Sequence, residues 1–117
     1  MNEREASTYE VEVEVLVVGA GACGCTAALA AHGASAQVMV LERDATPSGN
    51  TALSGGQIPA GGSRLQKLAG INDAAQILED DLRSKAKGLS NREVVKRVAS
   101  ASGSTIDWLV EDHGVPL

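Results

Sequence analysis

The sequence has almost no aromatic side chains: no Phe, one Trp (Trp108) and one Tyr (Tyr9), 2% of 117 residues. An interior built on large flat rings is excluded, so any core must come from Val, Leu, Ile and Ala. Cysteine is nearly missing as well. Cys23 and Cys25 cannot complete a four-ligand zinc site, and neither His32 nor His113 stands at a ligand spacing from them, so no metal is expected. They read as small residues of a tight turn, with Cys23 near a helix N-terminus, where a thiolate is favoured. Basic residues are the minority. Ten Lys and Arg against fifteen Asp and Glu give a formal charge of −5, which disfavours a nucleic-acid partner. No basic segment leading into an apolar one opens the sequence, so no secretory leader is expected. The uncharged stretch from Val15 to Leu41 is interrupted by four glycines and by Thr26, His32, Ser35 and Gln37, making it a poor membrane span. A cytoplasmic protein is the expectation. At 44% apolar and 21% charged residues, the balance is that of one small globular domain at most.

What the sequence does contain is glycine, 13 in all, and the first of them punctuate a clear pattern. Residues 1–10 read as a solvated tail. From Val11 apolar and acidic residues alternate, and from Val15 to Val18 the run is wholly apolar, as in a parallel strand buried on both faces. Gly19-Ala20-Gly21-Ala22-Cys23-Gly24 follows, then an Ala-rich helical stretch to His32 with Gly33 as its C-terminal cap. A second apolar run, Gln37 to Leu41, ends on Glu42-Arg43. Residues 11–42 thus predict a βαβ unit. Residues 43–63, dense in Gly and Pro, predict a long shaped loop. Helices are expected over 64–114: one from the Asn72-Asp73 capping pair to Gly88, another opening with a capping box at Ser90-Asn91-Arg92-Glu93. Ser102-Gly103-Ser104 reads as a break or kink in the latter.

The glycine spacing acquires meaning from its context. It leaves an apolar strand, opens a helix, and is followed 18 residues after Gly24 by Glu42 at the end of the next strand. Gly19 permits the sharp turn, Gly21 allows a pyrophosphate to approach the backbone, and Gly24 lets the helix pack on the strand. The helix N-terminus offers unpaired N–H groups to phosphate. Glu42 would accept from ribose hydroxyls and disfavours a 2′-phosphate, hence NADP.

The fingerprint alone does not separate NAD from FAD. The next segment, Ser48-Gly49-Asn50-Thr51-Ala52-Leu53-Ser54-Gly55-Gly56-Gln57, resembles the flavoprotein subunits of fumarate reductases and succinate dehydrogenases, a family that includes ketosteroid dehydrogenases. The helix through Trp108-Leu109 to Gly114-Val115 resembles the one these proteins place afterwards, so the likeness runs from Val11 to Leu117. It implies an α/β, Rossmann-like FAD-binding fold. The cofactor contacts it implies are Gly19, Gly21, Cys23 and Gly24 at the pyrophosphate and Glu42 at the adenosine ribose, with Ala20 and Arg43 also among the cofactor-binding residues. Asn50 and Thr51 would lie near the phosphates and flavin linker, and Ser54, Gly55, Gly56 and Gln57 beside the isoalloxazine ring. It further implies hydride transfer between flavin and a carbon next to a carbonyl or carboxylate. Two departures stand out. Where membrane-bound members carry the His that attaches FAD, this sequence has Asn50, implying non-covalent flavin. The family's helix-to-strand glycine falls at Ser35, with Gly33 two residues earlier.

The family's acid–base residues lie downstream of anything present here. His32 and His113 sit near helix C-termini, Asp107, Glu111 and Asp112 read as a wet helix face, and no catalytic residue is assigned. Two buried parallel strands cannot shield themselves. A second polypeptide is therefore expected to complete the sheet and to carry the substrate domain, the isolated chain being inactive. The rival readings are a small NAD- or ADP-binding sensor and a non-catalytic assembly module.

Overall fold

The computed structural model describes residues 11–117; the expected tail at 1–10 lies outside the described residues. These residues form two compact units, one ending at Gln57 and the other beginning at Ile58.

In the first unit β1 (Val15–Val18), α1 (Ala22–Gly33) and β2 (Val38–Leu41) make the expected βαβ motif. The strands are parallel and in register, Val15 opposite Val38 and Val18 opposite Leu41. Gly19 N–H extends the ladder by donating to the Leu41 carbonyl at 2.7 Å. At the entry, the Glu14 carboxylate accepts from Gln37 N–H at 2.8 Å, while the Gln37 carbonyl takes the amides of Glu14 and Val15. One face of the sheet carries α1, and the half-buried Val15 and Val17 belong to that side. The other face is open: Leu16 is 52% and Val18 81% exposed. The both-face burial expected of these strands is therefore absent among the described residues, where the sheet has only these two strands. The α/β sheet is incomplete, as its sequence implied.

The helix ends differently from the expectation. Gly33 is the last helical residue rather than the cap, and Ala34 caps the helix. Ser35 takes the left-handed conformation, φ 68°. A non-glycine residue there is strained by roughly 1 kcal/mol. The 43–63 segment is not wholly irregular, since Asn50–Leu53 closes one helical turn, α2.

The second unit packs α3 (Arg64–Leu68) and α4 (Ala75–Lys85) on the long α5 (Arg92–Glu111). The α3 turn falls inside the helical stretch expected over 64–114, but as a separate short helix whose signature is Ser63-x-x-Gln66. Ser63 Oγ accepts from Gln66 N–H and Gln66 Oε1 accepts from Ser63 N–H, a capping box. Conversely, the box expected at Ser90 is not formed. Asn91 caps α5, its Oδ1 accepting from Glu93 and Val94 N–H. The break expected at Ser102–Ser104 is also absent: α5 is continuous. Its small residues serve packing instead. A Cβ on Gly103 would lie 2.6 Å from the Gly61 carbonyl, and Ser102 Oγ accepts from Gly61 N–H at 3.0 Å. Ala99 and Ile106, one helical turn to either side, form the buried apolar core. Asp107 is not simply wet. It is half-buried and accepts from Arg64 N–H at 2.7 Å, an anion at the start of α3, while Glu111 pairs with the Arg64 guanidinium.

Candidate dinucleotide site

The site is built at the carboxyl ends of β1 and β2, where α1 begins. Gly19 has φ 102°, a conformation that favours glycine, and it turns the chain out of the strand. Gly24 faces that turn so closely that a Cβ would fall 1.9 Å from the Gly19 carbonyl oxygen and 3.2 Å from Val17. Glycine at this position is what allows α1 to start against the strand. Gly21 is different. A Cβ there would meet only Thr51 Oγ1, at an ordinary 3.5 Å. No other described residue demands a glycine at 21, which fits a position kept bare for a group arriving from outside.

Two side chains engage this turn. Glu42, at the end of β2, accepts from Ala20 N–H at 2.8 Å through one carboxylate oxygen and from Asp44 N–H at 3.1 Å through the other. These amides, Ala20 first, hold its carboxyl below the ordinary glutamate range. Thr51 Oγ1 accepts from Ala22 N–H at 3.1 Å. The amides of Cys23 and Gly24 make no hydrogen bond to any described residue, so the first turn of α1 keeps open donors and the positive end of its dipole. Turn, bare glycine and open amides together suit a diphosphate.

The remaining candidates divide. Ser54 N–H and O–H both donate to the Thr51 carbonyl, at 3.2 and 2.8 Å, and Gly56 N–H donates to Ser54 Oγ at 3.2 Å. Gly56 has φ 73°. Asn50 opens α2. Arg43 turns away from the glycine turn to pair with Asp44 and is 89% exposed; Gly55 and Gln57 are exposed without hydrogen bonds to described residues. Both cysteines lie on α1 rather than in a turn, exposed and free, Cys23 as its second residue. Asp44 and Ser48 lie in the stretch that carries the resemblance but had no site role assigned from sequence. Ser48 Oγ donates to the Asp44 carboxylate at 2.7 Å, and Arg43 with Ser48 holds that carboxyl below its usual range. An Asp four residues before a Ser in a Pro-containing loop was the available signal.

Residues 14–117 match the model of the FAD binding domain family. The sequence is 30% identical over 91 residues to an NADH:fumarate oxidoreductase of Klebsiella pneumoniae (strain 342), covering 78% of this chain and 10% of that protein. Over 83 residues it is 30% identical to the fumarate reductase (cytochrome) of Shewanella frigidimarina, 71% of this chain and 14% of the relative. The fold matches 3-ketosteroid-delta4-(5alpha)-dehydrogenase from Rhodococcus jostii RHA1, solved with 4-androstene-3,17-dione. The TM-score is 0.83 at 33% identity, over 97% of this chain and 23% of that one. The chain thus spans a small fraction of each relative. With the glycine turn, Glu42 and the following loop in one unit, this chain belongs to the FAD-binding domain family of fumarate reductase-type flavoproteins.

Proposed function

We propose that the chain is the FAD-holding portion of an oxidoreductase that oxidises or reduces a carbon–carbon bond next to a carbonyl or carboxylate. One observation carries the reading: Glu42 and Thr51 secure the amides of Ala20 and Ala22 while those of Cys23 and Gly24 stay open beside a bare Gly21. The open amides would take the pyrophosphate, and Glu42 has lone pairs left for ribose hydroxyls. Ser54, Gly55, Gly56 and Gln57 would border the flavin, where backbone N–H groups stabilise negative charge on the reduced ring. When bound, FAD supplies the hydride-transfer chemistry. Asn50 presents a carboxamide where an attaching His would stand, which supports non-covalent binding.

Substrate contacts and proton transfer belong to a second polypeptide in this reading. The exposed Leu16 and Val18 supply an apolar face for that partner to cover. Free, exposed Cys23 and Cys25 suit a reducing cytoplasm. Among the described residues no helix is long and apolar enough to cross a membrane.

Purification of the protein in its native assembly tests the reading. The expected product is yellow, releases FAD on denaturation in acid, and contains a second chain. A colourless folded monomer that fails to bind added FAD would refute it.

A further inference from the structure

A run of hydrogen bonds links the phosphate turn to the segment that follows α2, and all but the last, from Gly56 to Ser54, involve Thr51. Ala22 N–H donates to Thr51 Oγ1; the Thr51 carbonyl accepts from Ser54 N–H and Ser54 O–H; Ser54 Oγ then accepts from Gly56 N–H. All of these residues lie in the first unit. From these bonds we infer that Thr51 is a positioning residue, docking the flavin-side segment on α1 before cofactor arrives.

The inference rests on the FAD reading and goes further by assigning separate tasks to neighbouring residues. Thr51 satisfies the first helical amide, at Ala22, and leaves Cys23 and Gly24 to the phosphates. A β-branched side chain has few χ1 options, so its hydroxyl is held in place at small entropic cost. The turn Asn50–Leu53 is too short to be stable alone. Its place against α1 therefore depends on the Thr51 contact, and with it the place of Ser54 and Gly56. A segment already ordered in the free protein removes that ordering term from cofactor binding.

The consequence separates the two halves of the dinucleotide. ADP needs the glycine turn and Glu42; only FAD also needs the segment held by Thr51. The test uses Thr51→Val, which keeps the shape and deletes the hydroxyl, and Thr51→Ser, which restores it, each in the native assembly stripped of cofactor. FAD and ADP affinities are measured by titration calorimetry. Thr51→Val is expected to weaken FAD about tenfold, the size of one hydrogen bond, and ADP less than about twofold, with Thr51→Ser recovering most of the loss. Equal weakening of both ligands would reduce Thr51 to a helix cap and overturn the inference, as would no change in either. If Thr51→Val does not fold, Ser54→Ala breaks the next link and must show the same FAD-selective loss. A wild-type protein that binds ADP but not FAD refutes the cofactor reading itself, a result distinct from unaltered FAD binding by the variants.

Discussion

Gly24→Ala and Gly33→Ala introduce the same methyl group into the same helix, and the structure assigns them opposite signs. Replacing glycine by alanine in a helix interior is worth up to about 1 kcal/mol from backbone entropy alone. At Gly33, the last residue of α1, only part of that gain applies, but it is unopposed, because a Cβ there meets nothing within 4 Å and φ is not in the left-handed region. At Gly24 the Cβ would stand 1.9 Å from the Gly19 carbonyl oxygen, 3.1 Å from its carbon and 3.2 Å from Val17. The closest two are backbone atoms, which cannot rotate aside. Either α1 or the turn must yield by roughly 1 Å, and overpacking of this kind costs about 1–3 kcal/mol or more. The net expectation is a gain below about 1 kcal/mol for Gly33→Ala and a loss of about 2 kcal/mol for Gly24→Ala. The sole tryptophan lies on α5, in the other unit, so its fluorescence does not report on α1. Native-state hydrogen exchange of the α1 amides, with α5 amides as internal reference, reads the effect locally. ADP affinity should fall with Gly24→Ala, since the moved helix carries the Cys23 and Gly24 amides. Equal protection in both variants would refute the close-packing argument.

Ser35→Gly should stabilise the protein by about 1 kcal/mol in urea unfolding, because φ 68° no longer opposes a side chain; no gain would show the position unstrained. Asn91→Ala should cost about 1 kcal/mol and Ser90→Ala only a few tenths, since Asn91 alone caps α5; the reverse order in thermal melts would contradict the cap. Gly103→Ala should lower stability by about 2 kcal/mol, as its Cβ would lie 2.6 Å from the Gly61 carbonyl; an unchanged unfolding midpoint would count against that contact. Glu42 has its folded pKa below the unfolded one, so its contribution is present above the ordinary glutamate range and fades as pH falls through the lowered value. Carbon NMR of the Glu42 carboxyl should show that low midpoint, and Glu42→Gln should abolish the acid-side weakening of ADP binding; a midpoint in the ordinary range would remove the role given to Ala20 N–H.

Much of the first unit was legible because its signals are local. A wholly apolar run before Gly19, an Ala-rich stretch after Gly24 and a second apolar run before Glu42 specify strand, helix and strand by composition and period alone. Gly19 was readable as a turn residue for the same reason. The corrections cluster where a distant partner decides. Ser102-Gly103-Ser104 has the composition of a break, yet α5 passes through it because Gly61 packs there, 42 residues earlier. Gly33 has the composition of a cap, yet the left-handed residue is Ser35.

By itself, then, the sequence determined the order of β1, α1 and β2, the place of the glycine turn and the acidic residue opposite it. These follow from backbone freedom and side-chain periodicity within short windows, and such information does not need a fold. Only the tertiary structure decided which groups satisfy one another. It placed Glu42 on Ala20, Thr51 on Ala22 and Asp107 on the amide of Arg64. Hydrogen-bond partners separated by 22, 29 and 43 residues are chosen by geometry, because an amide takes whichever acceptor the packed chain brings within about 3 Å.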